Sequence, residues 1–132
     1  MNRIETIAAA SSPLAIGGAP SGYLPLFMTQ LATQAARTGA RAVYIAPDDL
    51  AGTNLADAAA FFAPDARIIS LPAWDSLPYD RASPSLKASA DRVAGLAALA
   101  DRPQGAELVV TTVNALTQRS LRPERIRALT VR

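Results

Sequence analysis

Glu107-Leu108-Val109-Val110-Thr111-Thr112 is, after its opening glutamate, a run of aliphatic and β-branched residues with no glycine or proline in it. Such near-continuous hydrophobicity marks a strand covered on both faces, as in a parallel sheet, rather than one with a wet side. Working outward, Arg67-Ile68-Ile69-Ser70-Leu71 closes at Pro72 and Ala42-Val43-Tyr44-Ile45-Ala46 closes at Pro47, and both read the same way. Leu14-Ala15-Ile16, closed by Gly17-Gly18, reads as a short first strand, and Ala128-Leu129-Thr130-Val131-Arg132 as a last one.

Helical spacing fills the intervals. Leu24, Phe27, Met28, Leu31 and Ala35 recur at three and four, as do Ala51, Leu55, Ala58 and Phe62. Gly39 stands where a helix needs a C-cap, and Asp48 or Asp49 where the next helix needs an N-cap and a negative charge. A third helix is expected over residues 84–101, with Ser83 as cap, Pro84 in the first turn and a stripe of Leu86, Ala90, Val93, Ala97 and Ala100. A helical turn follows at residues 114–118. Strands alternating with helices imply an α/β fold, a three-layer parallel sheet in one domain. Residues 1–13 read as a variable lead and residues 14–132 as the domain, and a strand at the last residues points to a piece of a larger protein.

Composition narrows the chemistry. With 132 residues, 50% hydrophobic and 18% charged at a net +2, the chain has enough apolar surface to offset the entropy of folding. It has no Cys and no His, which removes thiol nucleophiles, imidazole bases and the usual zinc ligands. Lys87 is the single lysine among 13 basic residues, so a pI near 9.5 reflects arginine usage more than a nucleic-acid surface. Residues 6–36 carry no charge, but Pro13, Gly17, Gly18, Pro20, Gly22 and Pro25 break them too often for a membrane span. Ser11-Ser12-Pro13 and Glu5 also argue against a signal peptide, leaving a cytoplasmic expectation and no membrane partner.

In an open parallel sheet, ligands bind beyond the carboxyl ends of the strands. Gly17-Gly18-Ala19-Pro20-Ser21-Gly22 has the Gly-x-x-x-x-Gly spacing of a phosphate loop, but Tyr23 and Leu24 replace the required Lys and Ser/Thr. One lost charge contact near a surface is worth up to about 4 kcal/mol, so no bound cofactor is expected. Pro25 should also delay the start of the helix.

A second distinctive segment runs Leu71-Pro72-Ala73-Trp74-Asp75-Ser76-Leu77-Pro78-Tyr79-Asp80-Arg81. Proline keeps it extended, and Trp74, Asp75, Tyr79, Asp80 and Arg81 make it a candidate interaction loop. The plainer reading has Trp74, Leu77 and Tyr79 tucked inward and the two aspartates capping turns. As an acid/base pair, Asp75 and Asp80 lack a metal, a His or a Lys to complete a site. The third candidate is Arg119, Arg122, Arg125 and Arg127, with Arg132, as interdomain or phosphate contacts. No aromatic residue interleaves them, and Pro123 is expected to interrupt any helix there.

The segment from Leu71 to Asp80, Ser83-Pro84, Arg92, Leu96 and Val109-Val110-Thr111-Thr112-Val113-Asn114-Ala115-Leu116 together resemble the amino-terminal region of the bacterial transcription-repair coupling factors. Tyr44-Ile45-Ala46-Pro47-Asp48 is similar to that family's second strand and following turn. The resemblance implies the first subdomain of a module similar to the excision subunit UvrB, with a RecA-like fold and a degenerate phosphate loop. It implies no catalytic residue and no metal here, with ATP and magnesium bound by motor domains elsewhere in an ATP-driven DNA translocase. Partners would be neighbouring subdomains, UvrA through the subdomain that follows, and RNA polymerase and DNA for the whole protein. Only Arg81-Ala82-Ser83 separates Asp80 from Pro84, too little for the DNA-inserting hairpin of the related excision subunit. Two other readings stand beside this one: a nucleotide hydrolase with an unusual phosphate loop, and a nucleic-acid-binding module using the terminal arginines.

Overall fold

The computed structural model describes residues 3–75 and 85–129. Strands β1 (Ala42–Ala46), β2 (Arg67–Leu71) and β3 (Glu107–Thr112) form one parallel sheet in the order β1-β3-β2. Leu108 pairs with Ala42 on one side and Ile68 on the other, so β3 is central. It is buried along its whole length. β1 is an edge strand, and the expectation of two covered faces fails there: Val43 and Ile45 are 53% and 50% exposed.

Among the described residues six helices surround the sheet: α1 (Arg3–Ala8), α2 (Leu24–Ala36), α3 (Asp49–Phe62), α4 (Leu86–Ala100), α5 (Val113–Thr117) and α6 (Pro123–Leu129). On one face α2 and α3 lie side by side, closing Met28, Ala32, Leu55 and Ala59 over Ala42, Leu108 and Val110. Small residues at these positions let helix and strand backbones approach. On the other face α4 packs against β2, and α6 packs against α4.

The helix ends follow local chemistry. Asp48 caps α3 by accepting the Ala51 amide at 2.7 Å. At the end of α2, Gly39 adopts φ +68, and the amides of Gly39 and Ala40 reach back to the carbonyls of Ala36 and Ala35. Pro25 sits in the first turn of α2, which starts at Leu24 after a short 3₁₀ turn, the late start that the proline implies. Ser85 caps α4 through the Ala88 amide at 3.2 Å. The expected cap Ser83 and first-turn Pro84 lie outside the described residues.

Four expectations are corrected. Leu14-Ala15-Ile16 forms no strand, and Leu14 and Ile16 are each 54% exposed. Three residues between Pro13 and a glycine pair offer too few ladder bonds to offset ordering costs of about 1–2 kcal/mol per residue. Ala128 and Leu129, expected to open a final strand, end α6 instead, while residues 130–132 lie outside the described residues. Pro123 starts that helix rather than interrupting it, because the first helical position needs no amide donor, and Glu124 suits the positive end of the dipole. Finally, the buried face of α4 is Arg92, Gly95 and Ala100, whereas Leu86 and Val93 of the expected stripe are 90% and 57% exposed. The close approach at Gly95 turns the helix: a Cβ there would stand 2.6 Å from the Ser70 carbonyl oxygen.

Candidate functional site

The carboxyl edge of the sheet carries the loops that the sequence singles out. Residues 17–20 of the glycine-rich loop are exposed coil, with Gly18 at φ +74, and Ser21–Tyr23 forms a 3₁₀ turn. Tyr23 places its ring 6.4 Å from that of Phe27, and Leu24 packs on the hydrophobic core. The positions that carry a cation and a hydroxyl in a phosphate loop therefore serve apolar packing. Pro25 takes away one of the free first-turn amides that would hold an anion.

The helices that follow the strands are likewise capped from within. Asp48 caps α3, Ser85 caps α4, and Thr112 caps α5 through the Ala115 amide at 3.3 Å. Between α3 and the strand ends lies an open cleft of about 110 Å³ lined by Asp49, Gly52, Thr53, Ser70, Leu71, Pro72, Val110, Thr111 and Thr112. Small-molecule sites run to about 300–1,000 Å³, larger than this cleft, while an adjoining open cleft of about 590 Å³ between β2 and α4 is lined by Ile68, Ser70, Lys87, Asp91 and Gly95. Among the described residues no group of three or more Asp or Glu is arranged to hold a metal ion.

The loop after β2 is tied to the loop after β3. The Trp74 amide donates to Gln118 Oε1 at 2.7 Å, and the Trp74 ring lies 5.5 Å from the guanidinium of Arg92. Arg92 is 1% exposed, and it donates to the carbonyls of Pro72 (2.8 Å), Ala115 (3.1 Å) and Gln118 (3.5 Å). Its Nε has no hydrogen-bond partner among the described residues. Burial pulls the guanidinium below its usual pKa. Asp75 is exposed and accepts the Ser85 amide at 2.9 Å, and the bonds from Ser85 hold its carboxyl below the usual range. Leu77, Tyr79, Asp80 and Arg81 lie outside the described residues, as does the stretch too short for a DNA-inserting hairpin. Neither the Asp75–Asp80 pairing nor the full interaction loop is therefore assembled from described residues.

The arginine group divides. Arg119, Arg122, Arg125 and Arg127 are all exposed, but Arg127 donates from Nε to the Ala100 carbonyl at 2.8 Å and also from Nη2. Arg132 lies outside the described residues.

At the amino edge stands a group that no motif announces. Glu107 is 1% exposed and accepts Arg41 Nε at 2.6 Å and the Gln104 amide at 3.3 Å, with Arg67 at 3.6 Å. Arg41 also donates to the carbonyls of Ala98, Leu99 and Asp101 at the end of α4. Charged residues opening β2 and β3 were the available signal, but their partners lie far away in sequence.

Compared with protein-family models, curated proteins and solved structures, the chain matches none. The description of the class thus rests on geometry: a mixed α/β chain with a three-stranded parallel sheet between helices. No helix among the described residues is long and apolar enough to cross a membrane.

Proposed function

We propose that this chain is a catalytically silent α/β scaffold with a RecA-like ancestry, the first subdomain of the UvrB-like module of a bacterial transcription-repair coupling factor. The observation that carries this reading is the use of Tyr23 and Leu24. At the start of α2 they pack against Phe27 and the core, at the positions where a phosphate loop would hold a triphosphate and magnesium. The self-capped starts of α3 and α5 support the same reading. In this role the sheet braces its neighbours, UvrA contacts the subdomain that follows, and RNA polymerase, DNA and ATP engage other parts of the protein.

The nucleotide-hydrolase reading finds no cation at Tyr23 or Leu24. The nucleic-acid reading keeps Arg119, Arg122 and Arg125, but Arg127 is committed to α4. Titration with magnesium-ATP, followed by calorimetry and by Trp74 fluorescence, tests the scaffold. The expected outcome is no saturable signal below millimolar nucleotide, and micromolar affinity would overturn the proposal.

A further inference from the structure

Among the described residues Arg92 is the one buried guanidinium at the carboxyl edge, and its surroundings are unusual for a charge. Its hydrogen bonds among the described residues are to three backbone carbonyls, from Pro72 after β2 and from Ala115 and Gln118 after β3, and its face rests on Trp74. None of those bonds reaches a carboxylate, and Nε has no acceptor among the described residues. A buried charge without a counterion is costly unless its polar contacts are well made. Here the contacts are dipoles with fixed directions, so the arrangement is strict: displacing either loop removes carbonyls that the guanidinium needs. The planar fork reaches both loops at once, which the single ammonium of a lysine cannot do.

We infer that Arg92 is a positioning residue that couples the Trp74 loop to the α5 loop, so that a change at one is transmitted to the other. This goes beyond the scaffold reading and does not depend on it, since it concerns how two loops of any such sheet move together. A partner that displaced α5 would thereby release Trp74, and one that gripped Trp74 would hold α5. Gln118 provides a direct tie between the same loops, so the role of Arg92 is isolated only by a cycle of substitutions.

The test uses Trp74, the single tryptophan, as a built-in reporter. Asn114→Gly loosens α5 from an exposed position without touching Trp74. In the Arg92 background it should red-shift Trp74 emission and raise acrylamide quenching. In an Arg92→Met background the response should be clearly smaller, with what remains passing through the Gln118 tie. Hydrogen exchange of Arg92→Met should quicken about tenfold in residues 73–75 and residues 113–118 together, with a native circular dichroism spectrum. Should Arg92→Met fail to fold, Arg92→Lys serves, with the same loss of coupling expected from its single ammonium. An equal Asn114→Gly response in both backgrounds, or faster exchange in one loop alone, would overturn the inference.

Discussion

Arg41 Nε donates to Glu107 Oε2 at 2.6 Å, across 66 residues of chain, and joins the start of β1 to the start of β3. Burial of Glu107 would push its carboxyl up. The bonds from Arg41 and the Gln104 amide, with the charges of Arg41 and Arg67, outweigh burial and hold it below the usual range.

The pH dependence follows from that sign. A carboxyl whose folded pKa is depressed contributes stability above its unfolded value, about 4.3, and loses it as pH falls through the folded value. Glu107→Gln should therefore cost about 1.5–3 kcal/mol at pH 7, the worth of hydrogen bonds to a charged group. The difference from wild type should shrink below about pH 4.3, and urea titrations at a series of pH values measure it. A constant difference down to pH 2 would show that the charge is not what matters.

Gly95→Ala tests how α4 sits on β2. In an exposed helix interior this change would stabilise by about 1 kcal/mol. Here the new Cβ meets the Ser70 backbone oxygen at 2.6 Å, which something must move to relieve. Overpacking of this kind costs about 1–3 kcal/mol, so the thermal midpoint should fall. A rise would mean that α4 stands farther from the sheet.

Restoring the two missing phosphate-loop side chains should not restore nucleotide binding. In Tyr23→Lys with Leu24→Ser, the loop would still follow coil rather than a strand, and Pro25 would still lack an amide. Calorimetry should detect no micromolar site for magnesium-ATP. The double variant should also be less stable by about 1 kcal/mol, since Leu24 packs on the core and Tyr23 on Phe27.

The elements that local pattern dictates were legible from sequence: three apolar runs as strands, two amphipathic helices, Asp48 and Gly39 at their ends. What pattern could not show is which partner a segment finds. Leu14-Ala15-Ile16 is apolar enough for a strand yet lies unpaired among the described residues. On α4, hydrophobicity pointed to Leu86 and Val93, whereas carbonyls from two distant loops bury Arg92. Of the candidate site, the glycine-rich loop and Trp74 could be singled out in advance. The role of Arg92 could not, because its partners are backbone atoms that acquire positions only in the fold. At α6 the sequence suggests an interruption at Pro123, whereas Pro123 with Glu124 opens the helix.

Arg127 and Arg125 are neighbours on α6 with opposite situations, and this separates a structural arginine from a free one. Arg127 reaches the Ala100 carbonyl, one of the groups left open at the end of α4, where a cation also suits the negative end of the helix dipole. Arg41 holds the carbonyls of Ala98, Leu99 and Asp101 beside it. Arg127→Ala should therefore cost about 1–2 kcal/mol and loosen α6, whose one buried side chain, Ile126, packs next to it. Hydrogen exchange across Pro123–Leu129 should quicken while that of β3 stays unchanged. Arg125→Ala, at an exposed position, should stay within about 0.5 kcal/mol of wild type. Equal costs for the two would mean that α6 is held by Ile126 alone, with no contribution from the Arg127 contact.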